Sequence, residues 1–201
     1  LIYAKGKFLN LKINTNASML DERKSHAILQ NDVKTLVFSV DTADPGLYSS
    51  LRVNGKLNKV VSNIKQFKKI REKNYPQSKI ITRVSGVKVG EKQNFKELEK
   101  FWGNVADQVA FVDYCPWENV YDIAKNEINA PCSDLWRRMF VWWNGKINPC
   151  DVDFRSKLST GCITNNYISK LWKSVRYNKL RQDHGSKRRN TFSPCSKCSV
   201  V

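Results

Sequence analysis

The stretch PCSDLWRRMFVWWNGKINPC, residues 131–150, and the terminal stretch FSPCSKC, residues 192–198, decide how the last third of this chain folds. Together they contain four cysteines: Cys132, Cys150, Cys195 and Cys198. Four thiolates can enclose one zinc ion or one iron–sulfur cluster, and two residues between a cysteine pair turn both sulfurs toward one ion. Unligated buried thiols are an alternative, and disulfides a weaker one, because nothing in the chain indicates secretion. We therefore predict a metal centre formed by these four side chains.

A β-hairpin is predicted between Cys132 and Cys150. An apolar run at residues 139–143 is followed by the dipeptide Asn144-Gly145 and then by a short strand-like segment. Asn-Gly favours a type I′ turn, because both central residues of that turn need positive φ. Such a hairpin would bring Cys150 back toward Cys132.

The rest of the C-terminal region has few apolar residues. Two short helical stretches are predicted at residues 167–176 and 177–185, with Gly185 as the residue that stops the second helix. A metal would therefore supply much of the folding free energy of this region. We expect His26 and His184 on the surface and Cys115 and Cys162 as packed thiols. Four tryptophans are expected in the core of this region: Trp136, Trp142, Trp143 and Trp172.

Residues 1–128 alternate between strand and helix patterns. Strand-like runs at 8–16, 35–41, 79–89 and 108–114 alternate with helical patterns at 18–30, 57–70 and 94–107. The third run is expected to be interrupted near Ser85-Gly86, and residues 42–55 to form a loop rich in Pro and Gly. Strand–helix–strand repeats predict right-handed βαβ units and a parallel sheet. Four strands are too few for a closed barrel, so the sheet is either open or part of a barrel.

Ligands of parallel α/β sheets bind where the strands end. Ser39 and Asp41 lie on one side of such a strand end and could hold ribose hydroxyls or an amino group, although Asp41 could equally cap the next loop. Asn16 ends the first strand. Arg83, in an apolar strand, is expected to be buried and to bind an anion, with a structural ion pair as the alternative.

Composition and charge limit the classes of protein. The chain has 201 residues, is 41% hydrophobic and carries a formal net charge of +17. No apolar run approaches the ~18 residues of a membrane span, and no signal peptide is found, so a cytoplasmic protein without membrane contact is expected. The basic excess indicates a polyanionic partner, a solvated surface, or neutralisation of metal-bound thiolates.

The C-terminal pattern resembles the SPASM/twitch extension of radical S-adenosylmethionine (radical SAM) enzymes. The matching features are the Gly145-x4-Cys150 step, the stretch ISKLWKSVRYNKLR at residues 168–181 and the final C-x2-C. Four fitting cysteines correspond to the shorter, twitch-like pattern with one auxiliary [4Fe–4S] cluster. Upstream, INTNASML at 13–20 resembles the third barrel strand of the family, and residues 38–67 resemble its fourth strand and helix.

The resemblance implies an α/β fold in two domains. Residues 1–128 would form about four βα units of a partial (βα)6-type radical SAM barrel, and residues 129–201 a small SPASM/twitch domain with a hairpin and short helices. The resemblance assigns contacts to S-adenosylmethionine to Ser39 and Asp41, and we add Asn16 and Arg83 as cofactor contacts from their positions in the strands. The C-x3-C-x2-C motif that holds the radical-generating cluster is missing from the sequence. We therefore expect an N-terminally truncated chain that is inactive alone.

The parent enzyme implied by the resemblance would bind S-adenosylmethionine and a second [4Fe–4S] cluster. It would generate a 5′-deoxyadenosyl radical that abstracts hydrogen from a sugar, a cyclitol or a peptide, and an electron donor of the flavodoxin or ferredoxin type would serve it. The basic surface suggests an anionic substrate, while nucleic acid is not expected as a partner. The alternative from another class is a zinc-stabilised, basic nucleic-acid-binding module that uses the same four cysteines.

Overall fold

The structure is a computed structural model that describes residues 1–116 and 119–201. The chain divides into two units, Leu1–Tyr114 and Cys115–Val201. The predicted boundary after residue 128 lies inside the second unit. The reason is that Val120 and Tyr121 pack with Val152 in a buried cluster of that unit, and the backbone of Asn126 hydrogen-bonds that of Ser196.

Unit 1 is organised by a parallel sheet. Its strands are β1 Leu11–Thr15, β2 Val33–Ser39, β3 Ile81–Lys88 and β4 Gln108–Asp113. They lie in the order β1-β2-β3-β4, and each neighbouring pair is parallel. A doubly wound sheet reverses its strand order at a switch point, whereas the strands of a βα barrel follow one another without reversal. The described strands therefore have the order of a barrel arc, as predicted.

Helices connect the strands of unit 1. They are α1 Glu22–Leu29, α2 Pro45–Leu51, α3 Leu57–Asn74 and α4 Phe95–Gly103. Helix α3 buries an apolar stripe consisting of Leu57, Val60, Ile64, Phe67 and Ile70. This stripe joins a core whose fully buried members include Leu36 and Phe38 of β2, Val84 of β3 and Trp102 of α4.

Two local predictions for unit 1 were wrong. Helix α2 occupies the predicted loop, because the side chain of Asp44 caps the backbone N–H of Leu47 and Pro45 is the first helical residue. Strand β3 also continues through Ser85-Gly86. Gly86 lets β3 pass close to the residue after β2, since a Cβ there would lie 2.5 Å from the carbonyl oxygen of Val40.

Unit 2 combines a small antiparallel sheet with short helices. The strands are β5 Phe140–Val141, β6 Lys146–Asn148 and β7 Gly161–Cys162, in that order. The helices are α5 Asp134–Arg137, α6 Ile168–Trp172 and α7 Val175–Gly185, followed by 3-10 turns at Arg189–Thr191 and Cys195–Lys197. Helix α7 includes Gly185, and it is Lys187 that takes a left-handed φ of 59°. The prediction of Gly185 as the stop was therefore wrong by two residues.

The predicted hairpin is confirmed, but its turn class is wrong. Phe140 pairs with Asn148, and the N–H of Trp142 donates to the carbonyl of Lys146 at 2.9 Å. Gly145 has φ of 80° and its N–H donates to Trp142, while Asn144 keeps negative φ. This is the longer hairpin loop with a glycine bulge, in which only one residue needs positive φ.

The tryptophan prediction holds in part. Trp172 packs against the buried cluster of Leu135, Leu158, Tyr177 and Leu180, whereas Trp143 at the hairpin tip is 96% exposed and Trp136 is 46% exposed. A turn residue has no facing element to pack against, and this is why Trp143 lies in solvent.

Candidate metal centre

The four cysteines come from three separate segments of unit 2. Cys132 lies just before α5, and Cys150 lies two residues after β6. Cys195 and Cys198 bracket the last 3-10 turn, with Cys195 buried and the other three thiols half-buried. All four are free thiols.

The thiols are close enough to influence one another electrostatically. Burial, with a smaller contribution from negative charge on Cys132, raises the pKa of Cys150 and of Cys195 to about 12. Burial also raises the pKa of Cys198, again with a contribution from Cys132. Cys132 therefore lies within electrostatic range of each of the other three thiols.

The thiols do not form a closed ligand set as placed. In the described part of the chain, no three His, Cys, Asp or Glu side chains are positioned to hold a metal ion. The thiolate is the ligand form of cysteine, and burial keeps Cys150 and Cys195 protonated at neutral pH. Binding a metal here would therefore release protons. The set of soft donors in one half-buried region fits a zinc ion or an iron–sulfur cluster.

The C-x2-C turn is held by hydrogen bonds from distant residues. Asn126 Nδ2 donates to the carbonyl of Cys198 at 3.1 Å, and Lys197 Nζ donates to the carbonyl of Tyr121 at 2.7 Å. The guanidinium of Arg189 donates to the carbonyls of both Cys195 and Cys198. These contacts fix the turn independently of any ligand.

A buried aspartate shapes the loop that follows Cys150. Asp153 is fully buried, and its carboxylate accepts hydrogen bonds from the N–H groups of Lys157 and Leu158 at 2.9 and 2.8 Å and from the hydroxyl of Tyr121. A carboxylate that accepts several N–H bonds stabilises a tight loop, and here the loop carries one of the candidate ligands.

His184 lies inside unit 2, so its predicted surface position was wrong. The side chain is 1% exposed, and Nδ1 accepts the backbone N–H of Cys132 at 3.3 Å. Burial and the charge of Arg189 lower its pKa to about 4, so the ring is neutral and Nε2 carries the hydrogen. Nε2 has no partner among the described residues. Its helix looked polar throughout, and no local signal marked it as buried.

Three of the four predicted ligand residues of unit 1, Asn16, Ser39 and Asp41, lie at the carboxyl ends of β1 and β2. Asn16 is exposed and accepts hydrogen bonds from the N–H and the hydroxyl of Ser18. Asp41 is 7% exposed; Arg52 donates to one of its oxygens at 2.7 and 2.8 Å and the N–H of Val87 to the other at 3.0 Å. Ser39 is half-buried at the last position of β2. The carboxylate of Asp41 therefore holds the loop that follows it, as expected if Asp41 has a structural role rather than a ligand-binding one.

Sequence reasoning missed a buried glutamine at this strand end. Gln93 is 5% exposed; its Nε2 donates to the carbonyls of Asp41 and Val87 at 2.7 and 2.8 Å. Its Oε1 accepts the N–H of Val89 at 2.7 Å. The carboxyl ends of β2 and β3 are therefore held at a fixed separation.

The placement of Arg83 was predicted wrongly. Arg83 is the third residue of the eight-residue strand β3, near its amino end, and its side chain is half-buried. The guanidinium donates to Oε1 of Gln108, the first residue of β4, at 2.9 and 2.6 Å. A neutral amide satisfies it, so the expected need for an anion does not arise.

The two remaining cysteines are half-buried. Charge on Cys115 raises the pKa of Cys198, which places Cys115 near the candidate centre. Cys162, expected to be packed, accepts a hydrogen bond from the hydroxyl of Thr164 at 3.2 Å, and this contact lowers the pKa of the thiol.

A family model matches residues 132–199, the segment that begins at the first candidate ligand and ends just beyond the last. The model is SPASM, described as an iron–sulfur cluster-binding domain. The match covers about a third of the chain and contains all four candidate cysteines. The resemblance inferred from the sequence is thereby confirmed.

Solved structures resemble the chain in fold. SuiB of Streptococcus suis bound to the precursor peptide SuiA superposes with a TM-score of 0.65 at 16% identity, covering 85% of this chain and 49% of SuiB. The structure titled anSMEcpe with bound AdoMet gives a TM-score of 0.51 at 12% identity, covering 85% and 56%. Both are radical SAM enzymes of the SPASM type. The chain thus spans about half the length of SuiB, and the predicted fold class is confirmed.

BtrN in complex with AdoMet and 2-DOIA covers 90% of this chain and 81% of its own at 16% identity, with a TM-score of 0.47. No curated protein matches the sequence.

None of the helices in the described ranges is both long enough and apolar enough to cross a bilayer.

Proposed function

We propose that Cys132, Cys150, Cys195 and Cys198 of the SPASM domain bind one auxiliary [4Fe–4S] cluster. The observation that carries the proposal is the grouping of these four thiols, from three segments, inside the range matched by an iron–sulfur domain. Both zinc and iron–sulfur clusters accept four thiolates. The domain match favours iron–sulfur. When bound, such a cluster supplies one-electron transfer or a coordination site for substrate.

The residues around the thiols would prepare them for the cluster. Arg189 and Asn126 hold the C-x2-C turn, and Asp153 holds the loop after Cys150. Because the buried thiols are protonated at neutral pH, we expect cluster assembly to release protons and to be faster at higher pH.

We infer that unit 1 belongs to the barrel of a radical SAM enzyme. Asn16, Ser39 and Asp41 lie at the strand ends where parallel α/β folds bind ligands, and we propose them as contacts to S-adenosylmethionine. Asp41 would act mainly by holding its loop, since both oxygens already have protein partners. Arg83 is left out, because it lies at the opposite end of its strand.

The activity of the whole enzyme is proposed as hydrogen abstraction by a 5′-deoxyadenosyl radical. That reaction needs a second [4Fe–4S] cluster and a reductant of the flavodoxin or ferredoxin type, and the sequence of these 201 residues contains no C-x3-C-x2-C motif. A peptide substrate is favoured by the likeness in fold to a peptide-bound SuiB. A sugar or cyclitol is a second possibility, and the net charge of +17 favours an anionic substrate.

The test is the metal content of the chain purified without oxygen. We expect a brown protein with about four iron and four sulfide per chain, and loss of most iron in Cys132→Ala and Cys198→Ala. Cys162→Ala is the matched control, because Cys162 lies outside the four-thiol set, and it should keep wild-type iron. A colourless chain that contains zinc and binds random duplex DNA in a salt-dependent way would overturn the proposal.

A further inference from the structure

Arg189 is a buried cation attached to the C-x2-C turn. It is the one Lys or Arg side chain that is buried in the described part of the chain, with 1% of its surface exposed. Nη2 donates to the carbonyl of Cys198 at 2.6 Å, Nε to that of Cys195 at 3.2 Å and Nη1 to that of Ala130 at 3.3 Å. One guanidinium therefore connects both cysteines of the turn to the segment that leads into Cys132.

The guanidinium has no carboxylate partner. Across residues 1–116 and 119–201, no acidic side chain lies within ion-pair distance of Arg189. The buried acids of unit 2 have other partners: Asp134 pairs with Arg137 and Arg138, Asp183 with Lys179 and Arg188, and Asp153 accepts bonds from Tyr121, Lys157 and Leu158. A buried charge is costly unless an opposite charge compensates it.

The four thiols provide the missing negative charge once they are ligands. Nε and Nη2 of Arg189 donate to the backbone carbonyls of Cys195 and Cys198, so its positive charge lies beside both residues. Four thiolates around a [4Fe–4S]²⁺ core carry a net charge of about −2. The guanidinium then has an anionic neighbour, which it lacks within the described protein.

We propose that Arg189 is both the positioning residue of the Cys195–Cys198 turn and the counter-ion of the bound cluster, and that it raises the reduction potential of that cluster. The inference rests on the proposed function. In the redox step an external one-electron donor is oxidised and the cluster is reduced, so that its net charge goes from about −2 to about −3. A buried cation that donates hydrogen bonds to the backbone of two ligand residues favours the reduced cluster, because the reduced cluster is the more negatively charged one.

The test compares four variants of the full 201-residue chain, loaded with iron and sulfide without oxygen. Arg189→Met removes charge and donors, Arg189→Gln keeps an amide donor without charge, and Arg189→Lys keeps charge without the planar fork. The matched control is Arg188→Met, which removes the same charge from the adjacent residue, whose side chain is 54% exposed. The readouts are the reduction potential, from a dithionite titration followed by electron paramagnetic resonance, and the rate of iron release to a chelator.

We expect more negative potentials for Arg189→Met and Arg189→Gln than for wild type, with Arg189→Lys and Arg188→Met close to wild type. Iron release should be roughly 10- to 100-fold faster in all three Arg189 variants, as is typical when partners of metal ligands are lost. If Arg189→Met does not fold, the Gln and Lys variants still separate charge from hydrogen bonding.

Two outcomes would overturn the inference. One is an unchanged potential in both uncharged Arg189 variants, and the other is an equal shift in Arg188→Met. Failure of the proposed function is distinguishable, because the wild-type chain and Arg188→Met would then hold no cluster at all.

Discussion

At the scale of single residues, a missing β-carbon at position 86 lets β3 pass close to the end of β2. A Cβ on Gly86 would lie 2.5 Å from the carbonyl oxygen of Val40 and 2.8 Å from the ring of Phe111. We predict that Gly86→Ala destabilises the chain by about 1–3 kcal/mol, because backbone must move to admit the methyl group. Val40 also donates to the carbonyl of Ser85 at 2.9 Å, so the same shift disturbs the strand end that carries Asp41.

Urea denaturation of Gly86→Ala beside Gly103→Ala would check this prediction. Gly103 ends helix α4, and a Cβ there meets nothing within 4 Å. Its replacement should be neutral or stabilising by up to about 1 kcal/mol, since alanine loses less backbone entropy on folding. Equal midpoints for the two variants would contradict the close-approach explanation.

At the scale of elements, one carboxylate joins α3 to the amino ends of β3 and β4. Asp107, just before β4, accepts hydrogen bonds from Arg71 of α3 at 2.6 and 2.9 Å and from the N–H and hydroxyl of Thr82 at 2.7 Å. Burial opposes ionisation of Asp107, but these hydrogen bonds outweigh it and lower its pKa to about 2. The three elements are therefore fixed to one another by a charged group rather than by apolar packing alone.

Because the pKa of Asp107 is lowered in the folded chain, the free energy of unfolding must fall as the pH is lowered. An unfolded aspartate has its ordinary pKa of 3.8, so the stabilisation is complete above that value and is lost as the pH falls from about 4 toward 2. We predict that Asp107→Asn lowers the free energy of unfolding at pH 7 and flattens its pH dependence in that interval. The control is Asp113→Asn, whose side chain is 89% exposed and forms an ion pair with Lys88. Denaturation curves at pH 7, 4 and 3 measure this free energy. An equal loss of stability with falling pH in Asp107→Asn and in wild type would refute the prediction.

At the scale of the molecule, the two units differ in how much apolar core supports them. The described core of unit 1 is a single cluster of 18 buried residues, whereas unit 2 has separate clusters of five and three. A small domain with little core depends on a metal for much of its stability. The proposed cluster should therefore matter far more to unit 2 than to unit 1.

This difference predicts a local response to cluster removal. After treatment with a chelator and an oxidant, we expect faster amide hydrogen exchange across residues 119–201 and unchanged exchange in β2, β3 and α3. Hydrogen-exchange mass spectrometry measures both units in one sample, and Cys162→Ala, treated in the same way, controls for oxidation of a thiol outside the four-thiol set. Full retention of protection in unit 2 would mean that its stability does not depend on the cluster.

Hydropathy pattern and turn chemistry were sufficient for the regular elements. The four strands of unit 1, helix α3 and the hairpin of β5 and β6 were all predicted from local sequence, because periodic burial and an Asn-Gly turn are properties of neighbouring residues. The cysteine spacing likewise identified the thiols that the SPASM match contains. Helix α2 could also have been found, since Asp44-Pro45 is a recognised helix start.

What the sequence determined by itself is therefore the order of strands and helices, the parallel sheet and the four cysteines of the candidate centre. Only the tertiary structure decided which polar residues are buried around that set. Arg189 reaches the carbonyl of Ala130, 59 positions away, and His184 meets the backbone of Cys132, 52 positions away. The structure also changed the interpretation of Arg83. The sequence analysis expected it to bind an anion, whereas its guanidinium donates to Oε1 of Gln108. Burial of a charged side chain depends on which distant backbone groups can satisfy it, and no local pattern records those partners.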